Sequence, residues 1–241
     1  MIKVLNKNIG ESININVNEL IRVSKTNPLQ WDEHVIQPWL QNISSYNEQT
    51  EALILLKSTF KMYLCGTKSH PKSVILAGGP GTGKSYVMQL GCFMASAMGL
   101  NVSMKALLAD RAMSLGGVHL HLMFKIPVSD SATNVNRLAE LTIIKLHKSP
   151  ASLYYLRQLD VLFCDEGGQM SCDIWETLDI VLRTIRESSL YMGGILIVMS
   201  MDPEQLKPIK GMPFLMSPVM LTNYVAIVLK HSVRASTDLR L

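Results

Sequence analysis

The run Gly78-Gly79-Pro80-Gly81-Thr82-Gly83-Lys84-Ser85 constrains this chain more than any other stretch of it. Its Gly-x4-Gly-Lys-Ser spacing needs a strand before it and a helix after it. The loop works by aiming successive backbone N–H groups and the positive end of a helix dipole at one anion. Both flanks are present: Ser73 to Ala77 reads as a short buried strand, and Tyr86 to Met98, rich in Met, Leu and Ala, reads as a helix. Glycine and proline also gather in ordinary turns, but such a turn has no use for a Lys-Ser pair between these flanks. The loop therefore predicts a site for a nucleoside triphosphate. Gly79, Pro80, Gly81, Thr82 and Gly83 form the cradle, Lys84 reaches the β- and γ-phosphates, and the Ser85 hydroxyl ligates Mg²⁺.

The rest of the chain supplies a domain for this loop. With 241 residues, 48% hydrophobic and 17% charged, it can bury a substantial core as one large domain or two small ones. A net charge of +4 permits a polyanionic partner without demanding one. Residues 1–45 are polar and Asn-rich and are expected to form an arm ahead of a domain over 46–241. Asn47 to Leu64 predicts a helix leading toward the first strand. Further strands are expected at Val102–Leu107, Val161–Cys164, Ile195–Ser200 and Val225–Leu229, with helices between them, notably Val135–His147 and Cys172–Arg186. Strands alternating with helices imply a parallel sheet covered on both faces. With a phosphate loop after one strand, the expected fold class is α/β, a RecA-like P-loop domain with a mainly parallel sheet flanked by helices.

Cys65, Cys92, Cys164 and Cys172 lie in apolar segments without paired spacing, the pattern of reduced core thiols in an intracellular protein. No stretch approaches the roughly 18 apolar residues of a membrane span, and the N-terminus lacks the apolar core of a secretory signal.

A triphosphate hydrolase needs a second metal contact and a group that activates water. Open parallel sheets bind ligands at the C-terminal ends of their strands, so both are expected at the end of a strand neighbouring the loop. Val161-Leu162-Phe163-Cys164-Asp165-Glu166 fits, four apolar residues ending in two carboxylates. Asp165 is expected to hold Mg²⁺, and Glu166 to orient and deprotonate the attacking water. Alternation along the strand would send the two side chains to different points of one site. Asp173 and Glu176 read as structural, with Asp173 helping to cap the next helix.

Taken in order, these segments resemble superfamily 1B helicases, specifically the Pif (petite integration frequency) family and its RecD-like relatives. Asn47-Glu48-Gln49 is similar to the family's adenine-reading motif, which implies Gln49 as the reader. Ala106 to His121 resembles the segment that ends in Gly-Gly-x-x-x-His and lies along single-stranded DNA, which implies Gly117 and His121 as DNA contacts. Asp165 to Met170 resembles the DE-box. Ser200 to Pro208 resembles the Gly-Asp-x-x-Gln-Leu-x-Pro motif, with Gln205 as γ-phosphate sensor. Val228 to Arg234 resembles the strand-plus-arginine motif, which implies Arg234 as a charge on the γ-phosphate. The similarity covers about Asn47 to Arg234. Met201 stands where the family has Gly, and Leu108-Ala109 where it has Thr-Gly.

The resemblance implies an ATP-dependent DNA helicase motor domain that takes ATP and Mg²⁺ and binds single-stranded or forked DNA. Family settings of that kind are DNA repair and recombination. The sequence ends at Leu241, soon after Arg234. On that reading the second RecA-like domain is missing, together with a transition-state arginine worth about 10³–10⁵ in turnover. Slow hydrolysis is then expected, with unwinding only if a second domain is supplied in trans. A stand-alone P-loop ATPase, such as an AAA-type loader or transposition helper, and a non-catalytic helicase remnant are the competing expectations.

Other features have bland readings beside functional ones. Lys105, Arg111, Lys125, Arg137, Lys145 and Lys148 either track a phosphate backbone or form a solvated face. His119 and His121 lack a carboxylate or Cys partner for a metal site. Trp31, Trp39 and Trp175 read as packing anchors.

Overall fold

The computed structural model of the chain describes residues 47–66, 70–106, 120–127, 134–204 and 211–232. Helix α1 (Asn47–Leu64) leads to strand β1 (Ser73–Gly78), followed by α2 (Lys84–Ala97), β2 (Val102–Ala106) and the short α3 (Leu120–Phe124). Then come α4 (Val135–His147), α5 (Pro150–Gln158), β3 (Val161–Asp165), α6 (Cys172–Arg186), β4 (Leu196–Met201), α7 (Pro218–Asn223) and β5 (Tyr224–Leu229). The expected strands and helices recur to within a residue or two. The expected arm, 1–45, lies outside the described residues.

All five strands form one parallel sheet in the order β2-β3-β4-β1-β5. The apolar runs of β1, β3 and β4 are buried along their whole length because both faces of the sheet are covered. On one face Val74, Leu76, Phe163 and Val198 pack with Leu56 and Phe60 of α1 and with Val87, Leu90 and Phe93 of α2. On the other, Ile75, Leu162, Cys164, Ile197 and Met199 pack with Leu138 of α4, Leu156 of α5 and Trp175, Leu178 and Val181 of α6. The result is the three-layer α/β/α arrangement expected of the fold class. Trp175 is the packing anchor the sequence predicts, its ring 5.1 Å from that of Phe214.

Close packing sets where α2 begins. A Cβ on Gly91 would come within 2.8 Å of Leu56 Cδ1 and 3.3 Å of Phe163 Cε1, so α2 lies tight against α1 and β3. That contact fixes the N-terminus of α2, and with it Lys84 and Ser85, over the C-terminal edge of the sheet.

Three expectations change. The acidic strand β3 is not a neighbour of β1, because β4 lies between them. Sequence patterns report burial and period but not strand order. The cysteines are all free, yet only Cys92 and Cys164 are buried core thiols; Cys65 is exposed and Cys172 half-buried. Burial raises both core thiols, Cys164 to about 12. Helix α6 is capped by Ser171, whose hydroxyl accepts from the Ile174 N–H, while Asp173 sits in the first turn. Among the described residues no helix is long and apolar enough to cross a membrane.

Candidate functional site

The C-terminal ends of β1, β3 and β4 share one edge of the sheet, and the chemistry lies there. β1 ends at Gly78, where a Cβ would meet the Leu229 carbonyl oxygen of β5 at 2.4 Å and Thr82 Oγ1 at 2.9 Å. The first glycine of the loop is thus demanded by its neighbouring strand. Gly81 and Gly83 have φ of 78° and 84°, a left-handed backbone that other residues adopt only with strain. Gly79 differs: a Cβ there would meet nothing within 4 Å, leaving its surface open. The loop is cross-braced by Thr82 Oγ1, which donates to the Gly79 carbonyl at 2.9 Å. Lys84 Nζ donates to the carbonyls of Gly78 and Gly79 at 2.6 and 2.7 Å, so its ammonium stands across the mouth of the loop.

Helix α1 contributes from the side. Gln49, 2% exposed, donates from Nε2 to the Thr82 carbonyl at 2.9 Å. The structure thus brings Gln49 to the loop, with a donor committed to the loop backbone. Its neighbour Glu48 turns the other way. Oε2 accepts from the backbone N–H groups of Lys230 and His231 at 2.6 and 3.1 Å, and Oε1 lies 2.9 Å from His231 Nδ1. The hydrogen bonds from His231 hold the Glu48 carboxyl below its ordinary range, against a smaller opposing effect of burial. One helical turn therefore grips both the phosphate loop and the chain leaving β5.

The acid pair closes the far side. Asp165, 2% exposed, lies two residues beyond Phe163, and Ser200, 1% exposed, lies two beyond Val198. Side chains alternate along a strand, so both stand on the face covered by α2, whose first turn carries Lys84 and Ser85. Ser200 Oγ donates a hydrogen bond to Asp165 Oδ1 and accepts from the Glu166 N–H at 3.1 Å. Sequence reading assigned Ser200 no role. Its signal was a single hydroxyl in the otherwise apolar run LIVMSM.

Glu166 departs from the alternation expected of it. It lies just beyond β3 with φ 58° and ψ 32°, a left-handed conformation, and it is the turn at this residue that separates it from Asp165. Such a backbone costs a non-glycine residue about 1–2 kcal/mol and gathers at functional sites where neighbours enforce it. Here Ser200 takes the Glu166 N–H, the Glu166 carbonyl accepts from Gln169 N at 3.2 Å, and Gly167 lies where a Cβ would come within 2.4 Å of Met199.

The other expected site residues fall in different places. Gly117, Gln205 and Arg234 lie outside the described residues. His121 falls within helix α3, and its side chain is outside the description. The chain on either side of Gln205 is anchored. Asp202, 8% exposed, accepts from the Glu204 N–H at 3.0 Å. On the other side Met212 and Phe214 exchange backbone bonds with Cys172 and Met170, just past the acid pair. Arg137 pairs with Glu140 at 2.9 Å, both about 60% exposed, which is a solvated helix face. Among the described residues no three His, Cys, Asp or Glu side chains gather as a metal cluster.

The profile of the PIF1-like helicase family matches residues 57–220. Among curated proteins, the ATP-dependent DNA helicase PIF7 of Trypanosoma brucei brucei is 30% identical over 142 residues, 58% of this chain and 14% of that protein. The crystal structure of Pif1 helicase from Candida albicans superposes with a TM-score of 0.64 at 23% identity, covering 80% of this chain and 41% of that one. Pif1 helicase from Bacteroides, solved in complex with ADP-AlF3 and ssDNA, gives 0.55 at 21% identity over 73% of this chain and 42% of that one. The chain thus spans less than half the length of these relatives, and the structural likeness establishes a shared fold.

Proposed function

Because the chain belongs to the PIF1-like helicase family, we propose that it is the ATP-binding motor domain of a DNA helicase, hydrolysing ATP to drive movement along single-stranded or forked DNA. One observation carries the reading: the phosphate loop after β1 and the acid pair at the end of β3 share one edge of the sheet, with Ser200 of the intervening strand bonded to both acidic residues. Two strand spacings separate β1 from β3, about 10 Å, a span suited to a triphosphate tail with its metal. The nucleotide and DNA held by the Bacteroides relative support the same ligands here.

The residues divide the work of phosphoryl transfer to water, which is mostly positioning and electrostatics. The N–H groups of Gly81 to Ser85 take the phosphate oxygens, and Lys84 exchanges its loop carbonyls for the β- and γ-phosphates. Gln49, already against Thr82, reads the adenine. Glu166 accepts a proton from the water that attacks the γ-phosphorus, while the β–γ bridging oxygen leaves with ADP. Gln205 and Arg234 are proposed as γ-phosphate sensor and charge stabiliser. The Ser85 hydroxyl and the Asp165 carboxylate are hard oxygen donors of the kind Mg²⁺ takes, one or two from protein and the rest from phosphate and water. Bound there, the ion would neutralise charge on the β- and γ-oxygens. Gly117 and His121 are proposed to contact DNA, and unwinding to require a second RecA-like domain. Family membership sets aside the AAA-type loader.

The test is Lys84→Ala in the full chain. Titration calorimetry should show ATP binding lost while the thermal melt stays cooperative; unchanged affinity would remove the assignment.

A further inference from the structure

Strand β4 carries one polar side chain, Ser200, among five apolar residues. A buried hydroxyl without partners is costly, so its retention between five apolar residues points to the bonds it makes. It makes two, donating one and accepting the other through the same oxygen. A serine hydroxyl has a single proton and two lone pairs. With the proton on Asp165 Oδ1, the Glu166 N–H occupies a lone pair. Each bond thus fixes the direction of the other, and neither carboxylate residue can turn without disturbing both.

We propose that Ser200 is a positioning residue for the metal and water end of the site. It holds Asp165 through one oxygen, so that the rotation of the carboxylate is set before any ion arrives. It also fastens the peptide at which the chain enters its left-handed turn, which aims Glu166. The inference rests on the nucleotide reading above. It adds that the intervening strand is a working part of the site and not merely a spacer. Asp202, two residues on, begins the segment toward Gln205, so one strand end carries the brace on the acids and leads directly to that residue.

The experiment measures ATP affinity by calorimetry in EDTA and then across a Mg²⁺ titration, for the full chain and for Ser200→Ala, Ser200→Cys and Ser200→Thr. Hydrogen bonds to charged groups are strong enough that losing one should move the Mg²⁺ midpoint upward about tenfold. Affinity in EDTA should change by less than about twofold. Cysteine keeps the volume but donates weakly, so it should follow alanine even where alanine fails to fold. Threonine restores the hydroxyl and should return the midpoint toward that of the parent. A midpoint unmoved in both Ser200→Ala and Ser200→Cys overturns the inference, as does an equal loss of affinity with and without Mg²⁺, which marks a purely structural role. A parent chain that binds no nucleotide overturns the reading of the site itself.

Discussion

Gly78, Gly79 and Gly83 belong to one motif and are glycines for different reasons. Alanine at 78 would drive a methyl into the Leu229 carbonyl, backbone that cannot step aside. We expect Gly78→Ala to cost about 1–3 kcal/mol. At Gly83, with φ 84°, the cost is conformational, about 1–2 kcal/mol. At Gly79 the space is open, and Gly79→Ala should change stability by no more than about 0.5 kcal/mol. Urea unfolding of the three variants checks this order directly. For Glu166, replacement by Gln keeps the shape and the backbone turn while removing the proton acceptor. Nucleotide affinity should hold and steady-state hydrolysis should disappear; full turnover in that variant would clear Glu166 of its role. The placement of the loop and the acid pair at strand ends was legible from residues alone, because both are local patterns. The aim of Glu166 was not, since alternation is a rule for strands and Glu166 has already left one. Ser200 was illegible for another reason: its partners are 34 and 35 residues away.

Helix α1 shows what a single element does with two adjacent side chains. Gln49 ties it to the loop at Thr82, and Glu48 ties it to the chain leaving β5 at Lys230 and His231. The Glu48 carboxyl is lowered in the folded chain, so its contribution is present above the ordinary glutamate value of about 4.3. It is lost as pH falls from there through the lowered folded value. The charge strengthens the bonds that Glu48 accepts from the two backbone N–H groups. Hydrogen exchange should therefore find the Lys230 and His231 amides protected at neutral pH and released in Glu48→Ala, which removes the acceptor. Protection unchanged by that substitution would show that the contact holds nothing. The helix itself was readable over Asn47–Leu64 to the residue. Its grip on β5 was not, because nothing in a periodic pattern names a partner 182 positions later.

At the scale of the whole molecule, the apolar runs announced a sheet buried on both faces, and the α/β/α layers follow from it. Strand order did not follow, and the insertion of β4 between cradle and acids is the main thing the chain alone withheld. Binding of single-stranded DNA through phosphate contacts should weaken steeply as salt rises. Fluorescence anisotropy with a labelled oligonucleotide measures this, and no binding even at low salt would count against the helicase reading.

The order of the strands also bears on endurance. Among the described residues β2 and β5 are the outer strands, where a sheet erodes first as local openings set in. β4 is the central one of the five, farthest from either margin. The spacing between cradle and carboxylates is thus kept by the strand least exposed to such erosion, and warming should loosen the rims well before that gap changes.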